Sequence, residues 1–296
     1  MKVIQFTVPV AKEGSVVIQE DILPYFYNYL HRHKEAQITL IIKGEGTLIA
    51  GNYTQPFKAG DVYIIGPDQP HMFKGDSRYF ENLQEKNIHA IHIFFDLRHL
   101  TALLELPEFE LISKFVRKAS GSLQLPAEYT SRAAAEIIDI ARINGLERLL
   151  QFSRLLQFFS VQVAGWKSLS TGFSKYSYSE SEGIRMNDIY QYTLDNFTEQ
   201  ISLNKIASVA HMTTHAFCKY FKKHTRKTYL AFLNEIRIKE ACKRILQGDS
   251  DSISEIAYST GFNNAITFNR VFKKVIGMPP SDYAKEYKFR GSIDFN

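Results

Sequence analysis

Between residues 3 and 95 the apolar positions fall into short runs rich in β-branched and aromatic side chains, at 16–19, 25–30, 37–43, 46–50, 62–65 and 88–95, separated by Gly, Pro and Asn. Closely spaced runs of this kind, with Gly44-Glu45-Gly46 and Gly51-Asn52 as hairpin turns, predict a small antiparallel barrel or sandwich. From residue 97 the apolar period lengthens to three and four, predicting helices over 97–106, 109–117, 129–144 and 146–164. In the last of these, Leu149, Leu150, Phe152, Leu155, Leu156, Phe159 and Val163 offer more apolar surface than one helix lying on a barrel needs. Two readings follow: burial against a second copy of the chain, or a larger intramolecular core. Residues 168–183, SLSTGFSKYSYSESEG, are small and polar and predict an interdomain linker.

Beyond residue 184 the pattern is wholly helical. Ile189, Tyr192, Thr193 and Phe197 line one side of a helix over 184–197, and Ser202 opens another carrying Leu203, Ile206, Ala207 and Val209. The chain turns at His211-Met212, and Thr213 caps a helix over 214–224 with Phe217, Tyr220 and Phe221 on its core side and His215, Cys218, Lys219 and Lys222 opposite. Residues 229–247 lack Gly and Pro and predict a rod roughly 28 Å long, near the one-turn repeat of B-DNA, about 34 Å. Ser252 and Glu255 then form a capping box, and Gly261 makes a tight turn. After the cap candidates Asn263 and Asn264, the residues Phe268, Val271, Phe272 and Val275 make one apolar stripe while Arg270, Lys273 and Lys274 face elsewhere. Gly277 and Pro279-Pro280 stop this helix. Two short helices across a Gly turn, the second cationic in front, describe a helix-turn-helix with its recognition helix.

The residues Ile256-Ala257, Gly261-Phe262, Phe268, Arg270, Phe272-Lys273-Lys274, Gly277, Pro280 and Tyr283 resemble the C-terminal signature of the AraC/XylS family of bacterial transcription regulators. The resemblance implies two helix-turn-helix units joined by a long helix. It places Thr214, His215, Cys218 and Lys219 in the first DNA-reading helix. In the second, Asn263, Asn264, Ile266, Thr267 and Arg270 are the base-contact candidates: Arg can be bidentate to guanine, Asn to adenine, and Ile266 can pack on a thymine methyl. Lys222, Lys273 and Lys274 are assigned to phosphate. Departures are Pro279 where the family commonly has Ser, Ala284 where it has Arg, and Arg226 where it has the Gly that ends the first reading helix.

Composition sharpens this picture at one point. The 296 residues suit two domains, and the net charge is +5. Residues 184–290 hold 17 Lys and Arg against 10 Asp and Glu, whereas the rest of the chain holds 19 against 21. The cations are therefore gathered where a polyanion would bind. Cys218 and Cys242 are the only cysteines, both in helical patterns, which argues for reduced thiols. With no signal peptide and no membrane-spanning stretch expected, a cytoplasmic protein is predicted.

In the N-terminal part, His31, His33, Gln37, Gly44, Gly46, Gly60-Asp61, Pro67, Pro70 and His71 resemble the two cupin motifs. That resemblance implies a sensor barrel with Tyr25, His31, His33, Gln37 and His71 around an effector, sugar-like or phenolic. It also leaves open a metal on His31, His33 and His71, although Gln37 stands where metal-binding cupins carry a Glu ligand. No cofactor is expected. His89 and His92 are read as strand residues. The predicted whole is an α+β multidomain chain: a cupin-like antiparallel barrel (1–96), a helical dimerisation region (97–167), a linker (168–183) and an all-α double helix-turn-helix (184–290). Its expected role is that of an effector-controlled, sequence-specific regulator, an activator rather than a repressor. Its expected partners are double-stranded promoter DNA, a second copy in a homodimer and RNA polymerase. The rivals are a metal-dependent cupin enzyme with an appended DNA-binding domain, and sequence-indifferent DNA packaging.

Overall fold

A computed structural model describes residues 7, 14–51, 53–80, 84–169, 179–247 and 252–290. The chain divides into two compact units, Met1–Ile184 and Arg185–Asn296. Residues 170–178, most of the expected linker, lie outside the described residues.

The first unit contains strands β1 (Val16–Leu23), β2 (Ala36–Lys43), β3 (Gly46–Ala50), β4 (Tyr53–Phe57), β5 (Val62–Ile65), β6 (His71–Gly75), β7 (Ile88–Phe95), β8 (Leu123–Gln124) and β9 (Lys167–Ser168). They pair antiparallel into one sheet ordered β1-β7-β2-β5-β8-β9 and a second ordered β4-β3-β6. Strand alternation sorts the side chains onto two faces. Ile38, Leu40, Val62, Ile64, Ile91, Ile93 and Phe95 join the core shared with the helices. Ile41, Tyr63, Ile65 and Ala90 meet Leu48, Phe57 and Phe73 of the smaller sheet. Gln37, Thr39, His92 and Phe94 share this second parity, so the space between the sheets is where polar chemistry can gather.

Residues 25–30 are not a strand. Phe26 is buried among Phe57 and Phe73 while Tyr25 and Tyr27 face out, an alternation that mimics a strand in a segment with no ladder partner. Conversely β4 went unpredicted because Pro56 lies inside it, tolerated because β4 is an edge strand.

Helices α1 (Thr101–Leu104), α2 (Glu110–Ala119), α3 (Thr130–Arg142) and α4 (Gly145–Val161) follow. Phe152, Leu155, Leu156, Phe158 and Phe159 of α4 are buried in the unit's own core, so most of the surplus stripe is intramolecular; Leu146, Leu150 and Val161 remain exposed.

The second unit is built from the part of α5 (Glu180–Asn196) beyond Ile184 and from α6 (Leu203–Val209), α7 (Thr214–Thr225), α8 (Tyr229–Gln247), α9 (Ile253–Ser259), α10 (Ala265–Ile276) and α11 (Pro280–Arg290). The N-terminal half of α8 sets Tyr229 and Phe232 against Phe217 and Phe221 of α7, with Tyr190 of α5 against Phe221 and Phe232. Its C-terminal half sets Ile238, Ala241, Cys242 and Ile245 among Ile256, Ala257, Phe262, Phe268 and Phe272. One helix thus serves two separate cores. The terminal helix α11 was not expected, since Pro279-Pro280 reads as a stop. Pro280 instead occupies its first position, where a missing N–H costs nothing. No helix among the described residues is long and apolar enough to cross a membrane.

Candidate functional site

Each reading helix is started by a side-chain cap. Thr213 Oγ1 accepts the Ala216 N–H at 3.3 Å at the head of α7, and Asn264 Oδ1 accepts the Thr267 N–H at 2.7 Å at the head of α10. The helix before α10 opens on the expected capping box, with Ser252 N–H donating to Glu255 Oε2 at 2.6 Å and Glu255 N–H to Ser252 Oγ at 3.2 Å. On α7, Phe217, Tyr220 and Phe221 are buried while His215, Cys218, Lys219 and Lys222 are exposed. Thr214 is half-buried, its hydroxyl donating to Asn204 Oδ1 at 2.7 Å.

On α10, Phe268 and Phe272 are buried, and Arg270, Lys273 and Lys274 are exposed. Ile266 is 82% exposed, an aliphatic side chain left in water at the start of a helix whose other large apolar residues are wholly or partly covered. Thr267 is half-buried, and Asn263 is exposed with its amide donating to Gln200 Oε1 at 3.3 Å. Both helices therefore anchor through aromatic backs and leave cationic or adaptable side chains outward, the arrangement needed to enter a major groove.

In the first unit, His31 and His71 exchange backbone hydrogen bonds, His31 N–H to His71 O at 3.0 Å and His71 N–H to His31 O at 2.8 Å. This brings their rings to 4.3 Å, with His33 5.0 Å from His71. One ring nitrogen of each of the three lies within 4.8 Å of the others. His31 Nδ1–H is donated to Tyr29 O and His71 Nδ1–H to Gln69 O, while His33 sits between two acceptors, Glu35 O at its Nδ1 and Gln37 Oε1 at its Nε2, of which a neutral ring donates to only one. That fixes orientation and leaves the Nε2 atoms of His31 and His71 as lone-pair sites; the buried His71 Nε2 has no partner. Burial pulls the His31 imidazole down to about 4, and lowers those of His33 and His71, so the cluster is neutral near pH 7.

Gln37 Oε1 lies 2.9 Å from His33 Nε2, and Gln37 Nε2 lies 2.7 Å from Thr39 Oγ1 and 2.9 Å from His92 Nδ1. His92 Nε2 continues to Asp21 Oδ2 at 3.4 Å. Thr39 and His92 belong to this polar chain but were not among the candidates. Their shared strand parity with Gln37 and Phe94 was the available signal. Tyr25 and Tyr27 are both partly exposed, 37% and 45%, and it is the Tyr27 ring that meets His31, at 4.9 Å.

The orphaned, buried His71 Nε2 and the convergent neutral imidazoles fit a divalent transition metal, which His31, His33 and His71 would hold. His33 would then exchange its contact with Gln37 for the ion. The same lone pairs accept O–H or N–H donors of an organic ligand equally well.

Residues 206–286 match the family model of a helix-turn-helix domain, and residues 23–79 that of a cupin domain. The chain is 25% identical over 268 residues to the uncharacterized HTH-type transcriptional regulator YdeC of Bacillus subtilis, covering 88% of this chain and 87% of that protein. It is 28% identical over 274 residues to the HTH-type transcriptional activator RhaS of Escherichia fergusonii, covering 92% of each. Among solved structures, ToxT from Vibrio cholerae aligns over 92% of this chain and 98% of its own at 17% identity, with a TM-score of 0.37.

Proposed function

From the premise that this chain joins a cupin domain to an AraC-type helix-turn-helix domain, we propose that it is a one-component transcription regulator. Residues 184–290 read double-stranded promoter DNA, residues 1–96 sense a small molecule, 97–167 mediate homodimerisation and 168–183 link the two functions. The observation that carries this reading is the pairing of α7 and α10, two capped helices that bury aromatic side chains and turn His215, Cys218, Lys219, Ile266 and Arg270 outward. The effector is a small hydroxylated molecule, sugar-like or phenolic, whose donors meet the lone pairs of His31 and His71 beside the ring of Tyr27. The exposed Leu146, Leu150 and Val161 of α4 supply the dimer contact. A relative named as a transcriptional activator supports activation rather than repression; recruitment of RNA polymerase, action in the cytoplasm and the absence of enzymatic turnover belong to the same proposal.

Selection from a random duplex library tests the core of this reading. The purified chain should enrich one sequence and bind it on the order of 10³-fold more tightly than unrelated DNA. Equal binding to all duplexes would refute it and favour a packaging role. A metal-bearing barrel is the second reading, favoured by the unpartnered His71 Nε2. Stoichiometric iron, zinc or manganese that survives dialysis and is lost in His71→Ala would establish it.

A further inference from the structure

Arg237 lies on α8 at the point where that helix passes from one core to the other, between Phe232 and Leu233 on one side and Ile238 and Ala241 on the other, and it is only 6% exposed. Its guanidinium is spent on backbone. Nε donates to Phe197 O at 2.7 Å and Nη2 donates to Glu199 O at 2.6 Å, two carbonyls just past the C-terminal end of α5. A buried cation is costly unless it is fully hydrogen-bonded, and the negative end of a helix is a favourable place for it. The Cζ of the same guanidinium lies over the ring of Phe262, 5.7 Å from its centroid.

The turn of the second helix-turn-helix closes on the same spot. Gly261 has φ +92°, and a Cβ there would stand 2.6 Å from Phe197 O and 2.9 Å from both Thr198 O and Arg237 Nε. Glycine is therefore required twice over, by conformation and by space. Gln200 Nε2 donates to Gly261 O at 3.1 Å, and Asn263 Nδ2 donates to Gln200 Oε1 at 3.3 Å, one residue before the cap of α10. On the other side α5 is bound into the first core through Tyr190 and through Thr193 Oγ1, 2.9 Å from the Tyr229 hydroxyl.

A single helix fixes the distance between two bodies strung along it better than their rotation about it. The contacts from residues 197–200 to the 261–263 turn are a second connection, displaced from the α8 axis. We infer that Arg237, with Gln200 and Gly261, is the joint that sets α7 and α10 at one relative rotation, so that the chain reads two DNA segments only at one spacing. Arg237 is in this sense a positioning residue; it touches no DNA. Its planar fork reaches two carbonyls at once, which a lysine ammonium on one stem does not reproduce.

This inference rests on the DNA-reading proposal, and the test separates them. The probe is the two-segment duplex enriched by the full-length wild-type chain from random DNA, compared with the same duplex carrying one extra base pair between the segments. That insertion rotates one segment by about 34° relative to the other. Wild type should bind the longer duplex roughly tenfold more weakly, a loss the size of a typical mismatch, whereas Arg237→Lys and Gln200→Ala should lose only about twofold. Gln200 is exposed, so its variant keeps the fold even where a change at Arg237 does not. Affinity of both variants for a duplex bearing one segment should equal that of wild type. Variants that retain the tenfold penalty, or that lose affinity equally on every duplex in step with a lower melting temperature, would overturn the joint and leave Arg237 as core support. A wild-type chain indifferent to the insertion would overturn it as well. A wild-type chain that enriches no sequence would overturn the DNA-reading proposal, and the joint with it.

Discussion

Asn264 Oδ1 receives the backbone N–H of Thr267 at 2.7 Å, and this bond commits a side chain that could otherwise read adenine to closing the first turn of α10. A cap of this kind is worth about 1 kcal/mol to the helix. Under the DNA-reading proposal, base reading by α10 then falls mainly to the outward residues that follow, Ile266 and Arg270.

Ile266 offers the cleanest separation of folding from recognition. Because it is 82% exposed, Ile266→Ala should leave the unfolding free energy within about 0.5 kcal/mol of wild type. The same change should weaken binding to the selected duplex by about 1 kcal/mol, and the loss should vanish when one thymine in the site is replaced by uracil. Denaturant titration and competition binding measure the two halves.

Arg270→Ala and Lys273→Ala should behave differently although both residues are exposed cations on α10. Loss of Arg270 is expected to cost roughly 1–3 kcal/mol on the selected duplex and relax preference at one position. Loss of Lys273 should weaken specific and random DNA alike and lower the salt slope by about 1. Identical behaviour of the two variants would contradict the division of roles.

The two thiols should report on the first reading helix. Cys218 is exposed on α7, whereas Cys242 is buried in the second core and burial pushes its thiol up to about 11. An alkylating reagent at pH 8 should modify Cys218 alone. Saturating selected duplex should slow that reaction, and mass spectrometry of the labelled peptide follows it. Unchanged labelling with DNA bound would remove Cys218 from the interface.

Arg226 closes α7 in the left-handed conformation, φ 61° and ψ 9°, a setting that favours glycine. Arg226→Gly should raise the unfolding free energy by about 1 kcal/mol through relief of that strain. A thermal melt of the variant should shift upward by a few degrees. A downward shift would mean that the contacts of the arginine outweigh its backbone.

Much of the DNA-binding unit was legible in the order of residues because its signals are local. Ser252 with Glu255, Thr213, Asn264, Gly261 and Gly277 each act within a turn of themselves, and the stripe Phe268, Val271, Phe272 and Val275 repeats within one helix. The span of α8, Tyr229–Gln247, agrees with the predicted rod end to end. Short-range order in the sequence was weaker where a neighbour far along the chain decides. Residues 25–30 alternate like a strand but find no ladder, and Pro280 halts one helix while starting another. The roles of His92 and Arg237 exist only through hydrogen-bond and ion-pair partners 38 to 71 residues away: His92 with Asp21, Thr39 and Gln37, and Arg237 with Phe197 and Glu199. Sequence alone thus determined the helices before Pro280, their caps and the outward cations, since those depend on period and backbone chemistry. Tertiary structure decided which histidines converge and how one head is tied to the other, since strand pairing and helix crossing bring together groups that no local pattern connects.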